Sequence, residues 1–203
     1  MSAPNGIQDV CIIGSGPAGL QAAYYFAKKG VSFTVLERSD KISAFLRNFP
    51  RHRQFISINK VHTGLSNPET RLRHDWNSLL NDEGLLFKDW SRKYFPSADD
   101  FTSYAETFAK PLADHIVCNA DVQKIEKAAD GFVISCADGS THRAANVIVA
   151  TGVSQAWDPG IKGFELAANY TEFDPTPELY ENKRVLILGK GNSAFETADS
   201  LLE

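Results

Sequence analysis

A short apolar strand that runs into a glycine-rich turn and then a helix is the feature that most constrains this chain. Asp9-Val10-Cys11-Ile12-Ile13 is a continuous apolar run of the kind buried on both faces of a parallel sheet. Gly14-Ser15-Gly16-Pro17-Ala18-Gly19 follows it, and Leu20 to Lys29 reads as a helix that Gly30 ends. Val31 to Leu36 reads as a second strand with Glu37 at its end. Together these make one strand–helix–strand unit of about 30 residues, the size such a crossover needs. Within the turn, Gly14 permits the tight bend, Gly16 lets backbone approach a diphosphate, and Gly19 lets helix and strand pack closely. Pro17 suits a first helical turn, where its missing N–H removes nothing. Ser15 and Ala18 complete a loop whose free amides, at the positive end of the helix dipole, would hold phosphates. Glu37, with Arg38 beside it, is placed to accept from both hydroxyls of a ribose, and its charge would repel a 2′-phosphate. The pattern predicts a dinucleotide site for FAD or NAD and excludes NADP from it.

Beyond this unit, residues 41 to 90 are rich in Arg, His and Asn and hold no period. So long a segment is not expected to be structureless inside a compact domain, and short helices and extended pieces draped over a ligand are predicted. Ser97 with Asp100 three residues on predicts a capped helix over 98–110, with Phe101, Tyr104, Ala105 and Phe108 on one face. Pro111 is expected to break it. Strands are then predicted over 116–118, 122–128, 132–136 and 141–144, with Asp130-Gly131 and Asp138-Gly139 as hairpin turns, followed by a separate apolar strand over 147–150. Residues 153 to 183 carry Pro159, Pro175 and Pro177 and read as a linker.

A second glycine turn lies near the end. Arg184 to Leu188 is predicted as a strand leading into Gly189-Lys190-Gly191-Asn192-Ser193-Ala194 and a helix start. Alanine at the third glycine position is an accepted variant of the fingerprint. Two fingerprints imply two dinucleotides, which divides the chain into a first nucleotide domain over 1–152, a linker over 153–183 and the start of a second nucleotide domain over 184–203. The chain is therefore expected to be a fragment.

Composition supports a packed fold and narrows its partners. Hydrophobic residues are 43% and charged residues 23%, near the globular average. A net charge of −4 argues against a nucleic-acid partner and leaves a small-molecule substrate or a redox partner. No apolar run is long enough to span a bilayer. Met1 to Asp9 carries no basic and apolar leader pattern, so a cytoplasmic location is expected. Cys11, Cys118 and Cys136 form no C-x-x-C pair and read as structural thiols. No metal-ligand spacing is visible. Arg47, Arg51, His52, Arg53 and Lys60 make a basic cluster, read as phosphate contacts or as a solvated loop.

The order of first fingerprint, long excursion, antiparallel hairpins and returning strand resembles the FAD-binding domains of the glutathione-reductase-like superfamily. In that superfamily the strand ending in Ala-Thr-Gly, here Ala150-Thr151-Gly152, brings backbone to the flavin dinucleotide. Gly14 to Gly19, Ala150 to Gly152 and Gly189 to Ala194 together resemble flavin-containing monooxygenases and their relatives. Pro50 to Arg53, Ile56 to Lys60 and Leu72 to Leu80 are similar to an FAD-dependent oxidoreductase-domain family that includes an ER flavoprotein associated with degradation.

The resemblance implies an α/β fold with an inserted β-meander. It also implies FAD at the first fingerprint, NADPH or NADH at Gly189, Gly191, Asn192, Ser193 and Ala194, and oxidoreductase activity. It places Asn59, followed by Lys60, at the flavin edge as the one candidate catalytic residue, and the backbone of Val122 against the adenine. Between Gly163 and Asp174 the chain lacks the histidine of the monooxygenase fingerprint. A flavin-dependent disulfide reductase working with a dithiol elsewhere and a non-catalytic FAD-binding module are the alternatives. The ER lumen is the location the family implies.

Overall fold

The structure, a computed structural model, describes residues 6–65, 67–153 and 157–202. Met1 to Asn5 at the start of the first expected domain, Ser154 to Ala156 in the expected linker, and Glu203 lie outside the described residues. At the centre is a six-stranded sheet in the order β3-β2-β1-β6-β5-β4. Strands β1 (Gln8–Ile13), β2 (Phe33–Leu36), β3 (Ile116–Val117) and β6 (Thr141–Val149) pair in parallel. Strands β4 (Val122–Ala128) and β5 (Gly131–Cys136) extend the same sheet as antiparallel neighbours of β6.

β1 sits between two parallel neighbours, and its side chains alternate into two buried clusters. Val10 and Ile12 join Leu20, Phe33, Val35, Phe87, Phe101 and Tyr104 on one face. Cys11 and Ile13 join Leu36, Ala120, Ile134 and Cys136 on the other. This is the two-sided burial predicted from the apolar run. Helix α1 (Pro17–Lys29) covers the first face, and Gly30 closes it in the left-handed conformation, its amide reaching the Ala27 carbonyl.

The excursion over 41–90 holds two short helices, α2 (Ala44–Asn48) and α3 (Pro68–His74), and a 3-10 turn over Phe87–Asp89. It is strapped to α1: Tyr24 bonds Glu83, Lys28 pairs with Asp82, and Gln21 Oε1 accepts from the Leu80 amide at 2.8 Å. Helix α4 (Ala98–Ala109) starts where Ser97 Oγ accepts from the Asp100 amide at 3.0 Å, and Phe101, Tyr104, Ala105 and Phe108 are all buried. Pro111 does not stop the chain turning; it tightens α4 into a 3-10 segment over Lys110–His115. A proline is tolerated there because the segment's first turn needs no amide from it.

Two strand predictions differ from the structure. Thr141–Ala144 and Val147–Ala150 are not separate strands. They form one nine-residue strand, β6, whose first half pairs with β5 and whose second half pairs with β1. Ala145 and Asn146 carry nothing that breaks an extended chain, so the meander shares a strand with the parallel sheet. Arg184 to Leu188 forms no strand: among the described residues no other strand pairs with it, and Leu186 is 82% exposed. A strand is defined by its ladder, and composition alone cannot supply the neighbour. Helix α5 (Asn192–Ser200) nevertheless forms after Gly191.

Candidate functional site

The three glycines of the first fingerprint occupy physically different positions. Gly14 has φ +102°, and a side chain there would meet the Ala150 carbonyl oxygen at 2.5 Å. A Cβ on Gly19 would lie 2.0 Å from the Gly14 carbonyl oxygen. A Cβ on Gly16 would meet nothing within 4 Å. The first and third glycines are thus fixed by the protein's own packing, whereas the second borders open space at the mouth of α1. Pro17 is the first residue of α1, Ala18 lies in its first turn, and the helix's first bond back into the loop runs from the Leu20 amide to the Gly16 carbonyl. First-turn amides have no acceptor within a helix, so this mouth offers donors to an anion.

Glu37 stands at the end of β2 as predicted and is buried. Its Oε2 accepts from the Ser15 amide at 2.9 Å and from Ser15 Oγ at 2.5 Å, while Oε1 accepts from the Ser39 amide at 2.9 Å. The carboxylate therefore organises the fingerprint loop itself, a role that spacing did not reveal. Arg38 points outward and is exposed. The segment after β3 closes over the same point: the Ala120 amide donates to the Glu37 carbonyl at 2.8 Å. Cys118 lies here half-buried, its thiol pushed up by burial and then by Glu37 and Asp40. Val122 opens β4 and packs its side chain against the second cluster beneath this region.

The β6 end reaches the turn from the other side. The Ala150 amide donates to the Ile13 carbonyl at 2.8 Å, which sets Ala150 and Thr151 against Gly14, with Thr151 and Gly152 exposed. Residues far apart in sequence, Gly14 to Gly19, Glu37 and Ala150 to Gly152, thus meet at the carboxyl ends of neighbouring parallel strands.

Asn59 is only 6% exposed. Its amide nitrogen donates to the Ser91 carbonyl and its backbone N–H to the Tyr94 carbonyl, but its Oδ1 is sealed and without a partner. A buried acceptor left unpaired costs about 1–3 kcal/mol, so a donor brought to this oxygen by a local rearrangement would stabilise the site. Lys60 Nζ bends back to the Ile58 carbonyl at 2.6 Å and lies 6.0 Å from the Trp76 ring. The rest of the basic cluster is engaged with protein. Arg47 pairs with Glu106 and Arg53 with Asp99, both on α4, and Arg51 donates to the Phe173 carbonyl at 2.5 Å. These arginines act as struts between the excursion and its surroundings rather than as free phosphate contacts.

Next to Pro17 opens a cavity of about 390 Å³, walled by Gln21, Leu46, Phe55, Phe101 and Leu79, with Ser57, Asn77 and Ser78 as polar groups. Sequence reading missed Asn77 and Ser78 as cavity residues, because nothing in a run without periodicity says which side chains turn inward. The second fingerprint forms a turn in which Gly189 has φ +152° and Gly191 precedes α5; Asn192, Ser193 and Ala194 make its first turn. Among the described residues no cluster of three or more potential metal ligands exists, and no helix is long and apolar enough to cross a membrane.

Comparison with known proteins places this arrangement. Residues 11–203 match the family described as pyridine nucleotide-disulphide oxidoreductase. The chain is 42% identical over 200 residues to FAD-dependent oxidoreductase domain-containing protein 2 of Danio rerio, covering 96% of this chain and 29% of that protein. The protein of the same name in Mus musculus is 40% identical over 203 residues, covering 96% and 30%. The chain thus spans less than a third of the length of these relatives. Two solved structures share its fold. Bacillithiol disulfide reductase Bdr from Staphylococcus aureus has a TM-score of 0.76 at 22% identity, over 96% of this chain and 53% of that one. A flavin-containing monooxygenase from Stenotrophomonas maltophilia has a TM-score of 0.71 at 22% identity, over 92% and 52%.

Proposed function

We propose, from the premise that the chain belongs to the pyridine nucleotide-disulphide oxidoreductase family of FAD-dependent enzymes, that it holds the FAD of an NAD(P)H-dependent oxidoreductase of the flavin-monooxygenase type. The open side of Gly16 at the mouth of α1 carries this reading: the protein there has withheld a side chain that its own packing would accept. The amides of the first turn bind the diphosphate, and Glu37 turns its carboxylate from Ser15 toward the adenosine ribose. The backbone of Val122 takes the adenine edge, and Ala150, Thr151 and Gly152 supply backbone along the dinucleotide. Asn59 offers its unpaired oxygen near the ring edge, with Lys60 beside it. The cavity beside Pro17 has the volume and apolar walls that suit a flat ring system.

When bound, FAD would supply the redox chemistry of a hydride acceptor for a nicotinamide and an electron donor for oxygen or another acceptor. The protein's part is to fix the ring and exclude water from it. Gly189, Gly191 and the first turn of α5, with Asn192, Ser193 and Ala194, form the matching anchor for NADPH or NADH. A disulfide reductase is the second reading, favoured by the fold shared with the bacillithiol enzyme. It needs a dithiol from elsewhere, because Cys11 and Cys136 are buried and Cys118 stands alone. Three unpaired thiols support a reducing compartment such as the cytoplasm.

Stopped-flow mixing of the full-length protein with NADPH, and separately with NADH, tests the proposal. Bleaching of the flavin's visible absorption band with at least one of them is the expected result. A flavin that stays oxidised with both would leave a non-catalytic FAD-binding module.

A further inference from the structure

Asp75 is a buried carboxylate without a cation. It is 4% exposed, and among the described residues no Lys, Arg or His pairs with it. Both of its oxygens are used on one neighbour: Oδ2 accepts from Ser78 Oγ at 2.5 Å and Oδ1 from the Ser78 amide at 3.2 Å. Ser78 Oγ in turn accepts from the Phe87 amide at 2.8 Å, and the next amide, Leu79, donates to Tyr104 Oη at 2.8 Å. The turn over 75–78 is therefore clamped from inside the core. Trp76 is thrown out to 80% exposure, and Asn77 is turned in to 5%.

Asn77 lines the cavity beside Pro17. Its Nδ2 donates to the Ser57 carbonyl at 3.4 Å, and this contact assigns the other end of the amide as the oxygen. Among the described residues nothing donates a hydrogen bond to that oxygen. Nor is it sealed, since among the described residues only Arg51 Nε and Asn59 Oδ1 are both sealed and unpaired. It is the free acceptor of a residue that lines the cavity. An oxidised isoalloxazine carries a single ring N–H, on its imide.

We propose that Asn77 reads that imide N–H through its carboxamide oxygen, and that Asp75 is the positioning residue that holds the turn presenting it. The inference rests on the reading that this cavity receives the flavin ring. Asp75 acts only through Ser78 and the geometry of the turn; Asn77 makes the contact.

The test uses the full-length flavoprotein stripped of its flavin and titrated with FAD or with N3-methyl-FAD, which lacks the donor. Wild-type protein is expected to bind the methylated flavin about tenfold more weakly than FAD, as removal of one partner of a buried hydrogen bond would cause. Asn77→Leu is expected to bind FAD about tenfold more weakly than wild type and to lose the discrimination. Asp75→Asn, which keeps an acceptor for Ser78, is expected to retain the discrimination, and Asp75→Ala to lose most of it. Equal binding of both flavins by wild-type protein overturns the inference even if Asn77→Leu does not fold. Discrimination that persists in Asn77→Leu but vanishes in Asn59→Ala also overturns it, by handing the contact to Asn59. Failure of wild-type protein to bind FAD at all would instead sink the underlying reading of the cavity.

Discussion

Gly16 and Gly19 belong to one motif for opposite reasons, and single methyl groups separate them. Gly16→Ala adds an atom into open space, so the melting temperature should stay within about 1 °C while FAD affinity falls at least about tenfold. Gly19→Ala drives a methyl into the Gly14 backbone oxygen, which cannot move away without disturbing β1. A loss of about 1–3 kcal/mol is expected. Thermal denaturation of the apoprotein, followed by flavin titration, separates the two effects. Tyr104 offers a pH test at the same scale. Burial, with Asp75 adding to it, pushes its hydroxyl up to about 12 from 10.0. The folded state therefore keeps its proton after the unfolded chain has lost it. Stability should be unaffected by this group below pH 10 and fall by up to roughly 2–3 kcal/mol as pH rises through about 12. Tyr104→Phe should flatten that decline in denaturant titrations across the same range. The fingerprint residues were legible in the sequence because their spacing encodes backbone geometry. The bonds from Ser15 to Glu37 were not, because a side chain's partner depends on how strand ends align.

At the level of elements, α4 shows what local sequence can specify. Its cap, its start and its buried face all follow from residues within one or two turns, and the structure reproduces them. Ser97→Ala should cost about 1 kcal/mol by urea denaturation, and Ser97→Asp should recover most of it, because either side chain caps the Asp100 amide. The excursion over 41–90 was legible only as a segment that must be ordered. Its helices are short, its straps run to α1 and α4, and its inward-facing Asn77 depends on a core carboxylate. Strand 184–188 fails for the converse reason: its composition is right, but a strand needs a neighbour.

Across the whole molecule, the excursion also ties the two fingerprints together. Arg51 donates to the Phe173 carbonyl and, through its backbone amide, to Tyr170 Oη at 3.1 Å, while His52 Nε2 lies 3.1 Å from Thr197 Oγ1 on α5. Phe49, Tyr170 and Phe173 pack around them, with Tyr170 and Phe173 centroids 5.7 Å apart. The double substitution Arg51→Ala with His52→Ala should speed proteolytic cleavage between residues 157 and 190 several-fold while leaving the β1–α1 region protected, as peptide mapping would show. Neither residue drew this reading from sequence, where both appeared as members of a basic cluster and of a stretch that carries the family resemblance.

The shared strand β6 acts as a fixed-length rod between two jobs. One end carries the hairpin at Asp138-Gly139, and the other delivers Ala150 to the floor of the fingerprint. Adding or deleting one residue within it would turn every later side chain to the opposite face and shift the floor by about 3.3 Å. Descendants of this chain can therefore lengthen or shorten freely at the hairpin tips, but they inherit the count between Thr141 and Val149 unchanged.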